Sequence, residues 1–319
     1  MHVWNGLDAI PADLGATVAT LGNFDGVHRG HRAVLAQVVE QGSARGLPTV
    51  AVTFEPHPVA VLHPERAPEM ITSLDQRLAL LESCGLDAVV VIEFTVEFAH
   101  QSPEEFVESV YVDHLHAVAV IVGEDTRFGW RNTGNVDTMR ELGERLGFEV
   151  VTLSDLGGDA RWSSSMVRAQ LDEGDVDAAA EILGRPHQLT GVVVHGDHRG
   201  RELGYPTANL SPTVEGLVPA DGVYAGWLTR LGLAPGDPDR VLPAAVSIGT
   251  NPTFDGNERR VEAYVLDRTD LDLYGEHVSY ELVRRLRPTV RFDSIESLVV
   301  QMADDVAQCR EILRSIVPG

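Results

Sequence analysis

Thr20-Leu-Gly-Asn-Phe-Asp-Gly-Val-His-Arg-Gly-His31 ends an apolar run that begins at Ala16 and leads into an amphipathic helical pattern from Arg32. The passage reads as strand, tight turn and helix N-terminus. At a helix N-terminus, free backbone N–H groups and the positive end of the dipole favour a phosphate. Gly22, Gly26 and Gly30 let the backbone approach such a ligand closely, and Asn23, Phe24 and Asp25 fill the turn between them. His28 and His31 add donors for negative charge that develops during a reaction. By itself the His28-x-x-His31 pair admits three readings: phosphate donors, half of a zinc site, or histidines that cap a turn.

Working outward, the first half alternates between two periods. Apolar runs at Thr17–Leu21, Thr49–Phe54, Ala88–Phe94, Ala117–Val122 and Glu149–Leu153 enclose helical patterns at Arg32–Arg45, Leu74–Cys84, Pro103–His114 and Asn135–Leu146. Continuous Val-rich runs suit parallel strands buried on both faces. The alternation predicts βαβ units in a doubly wound parallel sheet, Rossmann-like, with ligands beyond the carboxyl ends of its strands. Two short helices, Ser165–Leu171 and Val176–Leu183 with Asp175 as N-cap, close a first domain at residues 1–183. Residues 184–188 form a breaker-rich linker. From 189 to 319 the texture is that of short β runs at Thr190–His195, Gly222–Leu228, Leu242–Ile248, Arg260–Leu266 and His277–Leu286, then one helix over Ser294–Ile316. This predicts an antiparallel β-barrel with a closing helix.

The chain has 319 residues, is 44% hydrophobic and carries a net charge of −23. All 25 basic residues are arginine. The lack of lysine excludes a lysine-bearing phosphate loop, a protein-kinase lysine and Schiff-base chemistry. The acidic balance excludes an extended nucleic-acid footprint. No apolar run approaches the roughly 20 residues of a membrane span, and no secretory signal is present. Cys84 and Cys309 form neither a disulfide framework nor a thiolate metal site. A cytoplasmic protein acting on small molecules, with no nucleic-acid or membrane partner, is expected.

His28-Arg-Gly-His31 resembles the His-x-Gly-His signature of the nucleotidylyltransferase superfamily, and Gly22 to His31 resembles the FMN adenylyltransferase module of prokaryotic bifunctional FAD synthetases. Thr53-Phe-Glu-Pro-His-Pro58, Val122-Gly-Glu-Asp-Thr-Arg-Phe-Gly129 and Ser163-Ser-Ser-Met-Val-Arg168 are similar to later motifs of that family, in order and spacing. The last also makes sense by itself, as hydroxyls at a helix start with an arginine one turn on, though an ordinary N-cap looks the same. The resemblance implies that Gly22, Asn23, Phe24, Asp25 and Gly26 line the ATP site. It gives His28, His31 and Arg168 to the reacting ATP, with Ser164 beside Arg168 on the β- and γ-phosphates. Pro56, His57 and Asp125 fall on the flavin side. Thr126 stands where the family often has an aromatic residue, and Trp162 and Met166 are unusual at their positions.

In the second half, Gly191-Val-Val-Val-His-Gly-Asp-His-Arg-Gly-Arg-Glu-Leu-Gly-Tyr-Pro-Thr-Ala-Asn209 resembles the riboflavin kinase signature. Gly191, Gly196, Gly200, Arg201 and Gly204 are its candidate ATP contacts, together with Thr207 and Asn209, whose hard oxygens suit Mg²⁺. By resemblance Glu262 is the base for the riboflavin 5′-hydroxyl, and Arg285, Arg287 and the closing helix frame the flavin. A solvated strand glutamate is the plain alternative for Glu262. The implied protein makes FMN from riboflavin and ATP, then FAD and pyrophosphate from FMN and a second ATP. The rivals are a kinase alone and a flavin- or nucleotide-binding regulator.

Overall fold

The computed structural model describes residues 1–153, 162–196, 203–253 and 256–316. They fall into two compact units, Met1–Ser163 and Ser164–Gly319. In the first, six strands, β1 (His2–Asn5), β2 (Thr17–Leu21), β3 (Thr49–Glu55), β4 (Ala88–Glu93), β5 (Ala117–Gly123) and β6 (Glu149–Leu153), form one parallel sheet in the order β1-β4-β3-β2-β5-β6. The helices are α1 (Arg29–Arg45), α2 (Pro58–Leu62), α3 (Leu74–Glu82), α4 (Val96–Ala99), α5 (Pro103–Val107) and α6 (Val136–Leu146).

The Val-rich runs read as they do because this sheet is buried on both faces. Val18, Ala51, Val89 and Ile121 pack with Leu35 and Val38 of α1 and Leu81 of α3. Val50, Val52, Val90 and Val120 face the other way, towards Phe106 of α5 and Met139 and Leu142 of α6. From β2 the chain proceeds to β3 and β4 on one side, then crosses to β5 on the other. The order therefore reverses at β2 and β5, the topological switch point at which ligands bind in such sheets. The Gly22–Gly26 turn follows β2, and Asp125 follows β5.

Two local readings are corrected. Pro103–His114 is not one α-helix: α5 gives way to a π-helical segment, Glu108–His114. Its wider winding accompanies burial of Val110, Tyr111 and Leu115 together. Strand β1 went unread because four residues at a sheet edge carry too little periodic signal.

In the second unit, β7 (His187–Val194), β8 (Thr207–Leu210), β9 (Gly222–Arg230), β10 (Val241–Thr253), β11 (Gly256–Val265) and β12 (His277–Pro288) close a barrel in the order β10-β11-β8-β7-β12-β9. All its pairings are antiparallel. Leu228, Val246, Ile248 and Leu282 are fully buried, and Tyr280 Oη donates to the Ala208 carbonyl at 2.8 Å. Helix α7 (Ser164–Glu173) and α8 (Val176–Leu183, capped by Asp175) belong to this unit. Arg285 donates to the Glu173 and Asp221 carbonyls, and Arg284 pairs with Asp177. Helix α9 (Ile295–Leu313) covers Ala225 and Val283 with Cys309 and Leu313. An ion pair of the half-buried Arg287 with the buried Asp305, at 2.6 Å, fixes α9 to β12. The expected linker is shorter than drawn, since His187 and Gln188 already pair in β7.

Candidate active sites

In the first unit the turn after β2 is bent hard. Phe24 (φ 50°) and Val27 (φ 40°) hold left-handed backbone that side chains rarely adopt. Buried bonds hold this strain. Asp25, 1% exposed, accepts from the Ile71 N–H, the Thr72 N–H and the Thr72 hydroxyl, each at 3.1 Å. Thr72 Oγ1 in turn accepts from the Gly26 N–H at 3.1 Å. The side chains of both Asp25 and Phe24 are buried. Phe24, 2% exposed, sets its ring edge-on to His31 with centroids 5.3 Å apart.

His28 is the N-cap of α1. Its Nδ1 accepts the His31 N–H at 3.3 Å, which leaves the proton of the neutral ring on Nε2. The two imidazoles stack with centroids 3.7 Å apart. Burial, reinforced by the His28 ring, holds the pKa of His31 well below the ordinary histidine value. Its ring is a neutral donor, not a cation. Gly30 lies under these rings: a Cβ there would stand 3.1 Å from His28 Cε1 and Nδ1. The guanidinium of Arg29 lies 5.5 Å from the Trp162 ring centroid.

On the flavin-side motif, His57 caps α2, its Nδ1 accepting the Val59 N–H, and its Nε2 lies 3.3 Å from the Asn23 amide. The structure therefore brings Asn23 and His57 together. Pro56 adjoins His57 in the same chain end, and Asp125 is exposed in the turn after β5. Ser164 opens α7 and Arg168 lies one turn on, both in the second unit.

In the barrel, register rather than loop geometry assembles the site. Glu262 of β11 pairs with Asn209 of β8. The Thr207 hydroxyl donates to Glu262 Oε2 at 3.2 Å, and the Asn209 amide lies 3.3 Å from Thr207 Oγ1. Gly196 leaves room for this cluster, since a Cβ there would come within 2.7 Å of the Asn209 amide. Gly204 takes φ +86°, and a Cβ added at Gly191 would meet Leu210 at ordinary contact distance. Gly200 and Arg201 lie outside the described residues. A cavity beside the cluster is lined by Val193, Gly196, Thr207, Asn209, Arg268 and Tyr274 among others. The Tyr274 ring lies against His195 with centroids 3.9 Å apart.

Sequence reading missed the braces. Thr72 carried no signal. Arg77 did carry one, a charge on the apolar stripe that also holds Leu74 and Leu81. It is fully buried in α3 and donates to the Asn23 carbonyl (3.0 Å), the Phe54 carbonyl (3.3 Å) and Glu55 Oε2 (2.5 Å).

Residues 10–166 match the family model for FAD synthetase, and residues 183–313 that for riboflavin kinase. The bifunctional riboflavin kinase/FMN adenylyltransferase of Escherichia coli (strain K12) is 38% identical over 303 residues, covering 95% of this chain and 94% of the relative. That of Haemophilus influenzae is 31% identical over 316 residues, covering 99% of this chain and all of the relative. A crystal structure described as a macrolide-efflux protein from Streptococcus pneumoniae superposes with a TM-score of 0.86 at 29% identity, covering 97% of this chain and 99% of that one. Among the described residues of this chain no helix is long and apolar enough to cross a membrane. With residues 10–166 and 183–313 each matched by its own family model and nearly the whole chain by full-length relatives, the chain belongs to the bifunctional riboflavin kinase/FMN adenylyltransferase family.

Proposed function

We propose that the two reactions of this FAD-forming enzyme divide at the linker: residues 1–183 transfer AMP to FMN and residues 189–319 phosphorylate riboflavin. The observation that carries the kinase half is the Thr207–Glu262 hydrogen bond beside Asn209 in a barrel cavity. Glu262 takes the proton from the riboflavin 5′-hydroxyl as that oxygen attacks the γ-phosphorus of ATP. The bond from γ-phosphorus to the bridging oxygen breaks, and ADP leaves with its electrons. Thr207 orients the Glu262 carboxylate for this proton transfer. Gly191, Gly196 and Gly204 line the path of the ATP phosphates.

The donor set suits Mg²⁺. Thr207 and Asn209 offer hard oxygens, and among the described residues no group of three or more His, Cys, Asp or Glu forms an all-protein metal cage. Such a pair favours an ion that keeps water and phosphate oxygens as its other ligands. Bound there, it neutralises phosphate charge in a site without lysine.

For adenylyl transfer, an FMN phosphate oxygen attacks the α-phosphorus of ATP, the bond to the β-phosphate oxygen breaks, and pyrophosphate departs. The protein supplies position and charge stabilisation here, not a covalent group. His28 and His31 donate at the α1 N-terminus, His31 from a neutral ring. Gly22, Asn23 and Gly26 present backbone to ATP. His57, Pro56 and Asp125 take the flavin side. We place the enzyme in the cytoplasm, where Cys84 and Cys309, neither in a disulfide, stay reduced. The net charge of −23 supports the absence of a nucleic-acid partner.

Purified protein given riboflavin, ATP and Mg²⁺, with the flavins then separated, is expected to accumulate FMN and FAD. FMN without FAD overturns the adenylyl-transfer assignment, and neither product overturns both.

A further inference from the structure

The buried guanidinium of Arg77 joins two segments that the two substrates share. Its Nη1 holds the carbonyl of Asn23, in the turn given to ATP. Its Nη2 holds the Phe54 carbonyl and the Glu55 carboxylate, where β3 runs into the Pro56-His57 segment given to the flavin. The Thr53 hydroxyl donates to the same Asn23 carbonyl at 3.2 Å, and the Asn23 side chain lies beside His57. A fully buried arginine is costly unless its donors are satisfied and its charge matched, and Arg77 bears part of that cost, since both terminal nitrogens are bonded while its buried Nε has no partner among the described residues. Here the match is Glu55, whose side chain is itself partly exposed. Packing alone would be served by a leucine at this point of the α3 stripe.

From this geometry we infer that Arg77 is a positioning residue for adenylyl transfer, setting the separation between the ATP-side turn and the flavin-side strand end. The inference rests on the assignment of adenylyl transfer to this unit. Arg77 touches neither substrate and acts through Asn23 and Glu55. A planar fork can serve three acceptors at fixed angles, which an ammonium group cannot. In-line attack depends on the two phosphates meeting at a fixed distance, and a displacement of about 1 Å can cost about 100-fold in rate.

The test uses the full-length enzyme as wild type, Arg77→Met and Arg77→Lys. FAD formation from FMN and ATP is resolved into kcat and KM. ATP binding is measured by equilibrium dialysis, and hydrogen exchange follows β2, β3 and β4. Riboflavin phosphorylation in the same preparations is the reference, since Arg77 has no part in the barrel. For Arg77→Met, kcat for FAD should fall about 100-fold while ATP binding stays within about threefold and the sheet stays protected. Arg77→Lys should lose about tenfold, because it keeps the charge and one acceptor. The inference is overturned if both variants keep kcat within about twofold. It is also overturned if kcat falls only in step with lost ATP binding and lost sheet protection, the pattern of plain structural support. Wild type that makes no FAD overturns the underlying assignment and this inference with it. Wild type that makes FAD beside an equally active Arg77→Met overturns this inference alone.

Discussion

Acid should loosen the barrel through one histidine. His187 is 2% exposed at the start of β7, with its Nε2 2.7 Å from the Leu217 carbonyl. Burial pushes its pKa from 6.5 down to about 4; the bond to Leu217 opposes this and Arg185 adds to it. In the unfolded chain the ring titrates at its ordinary value. Between the two values the unfolded state holds a proton that the folded state lacks, so stability rises with pH across that window. The contribution is complete above about pH 6.5 and is lost progressively as pH falls towards 4. The full gap is worth about 3 kcal/mol, of which about 2.5 kcal/mol is gone at pH 4.5. Many carboxylates titrate in the same range, so the measurement must be a difference. His187→Gln keeps an N–H donor for Leu217 and removes the titration. Opening free energies of β7 and β12, from native-state hydrogen exchange at pH 7 and 4.5, should fall by about 2.5 kcal/mol more in wild type than in the variant. Equal losses in the two proteins refute the reasoning.

Three further outcomes are expected. Glu262→Gln should lower riboflavin phosphorylation by about 10²- to 10⁴-fold, the usual worth of a general base, while FAD formation from supplied FMN is unchanged; parallel loss of both activities contradicts the division between units. Because His31 is held neutral, its charge does not change between about pH 6.5 and 8.5. His31→Asn should therefore scale the pH profile of FAD formation down without changing its shape on the acid limb; loss of a limb near 6.5 in the variant would assign that limb to His31. Burial, then the nearby Asp305 carboxylate, pushes the Cys309 thiol up to about 12. A thiol reagent at pH 8 should modify only the half-buried Cys84 in the native enzyme, and both cysteines after denaturation.

Much of the fold was legible because its signals are local and repeated. Parallel strands buried on both faces print continuous apolar runs, and all five runs of the first half became strands. The bend after β2 was legible for the same reason, since glycines at a strand end before a helical pattern announce a tight turn. Its second layer was not. Thr72 and Arg77 are separated from the turn by the whole βα excursion through β3, and only the folded sheet brings Asp25 to one and Asn23 to the other. The burial of the Asp25 and Phe24 side chains was not legible for a related reason. A motif identifies which residues a turn needs without saying which way each side chain points. In the barrel, β8 lay hidden inside the kinase motif, where glycine-rich flanks look like loop, until pairing with β11 placed Asn209 opposite Glu262.

The two candidate sites are held in shape by different means, and this predicts where each is fragile. Thr207, Asn209 and Glu262 sit on regular paired strands, so ladder hydrogen bonds fix them and nothing remote is required. The turn after β2 instead holds left-handed Phe24 and Val27, and relaxes unless bonds from outside the motif keep it bent. Thr72 is the most exacting of these bonds, because one hydroxyl donates to Asp25 and accepts from Gly26. Thr72→Val keeps shape and burial but leaves a buried carboxylate and a buried N–H each short of a partner, at a cost of about 1–3 kcal/mol. That cost is comparable to the strain of a left-handed non-glycine residue, about 1–3 kcal/mol, so the turn should relax before the sheet unfolds. FAD formation should then fall about 10- to 100-fold, with hydrogen exchange of the Gly22–Gly26 amides raised, the β2–β4 amides unchanged and riboflavin phosphorylation untouched. A Thr72→Val enzyme with full FAD formation and unaltered exchange in the turn would show that the strained backbone holds itself, and that the braces are incidental to it.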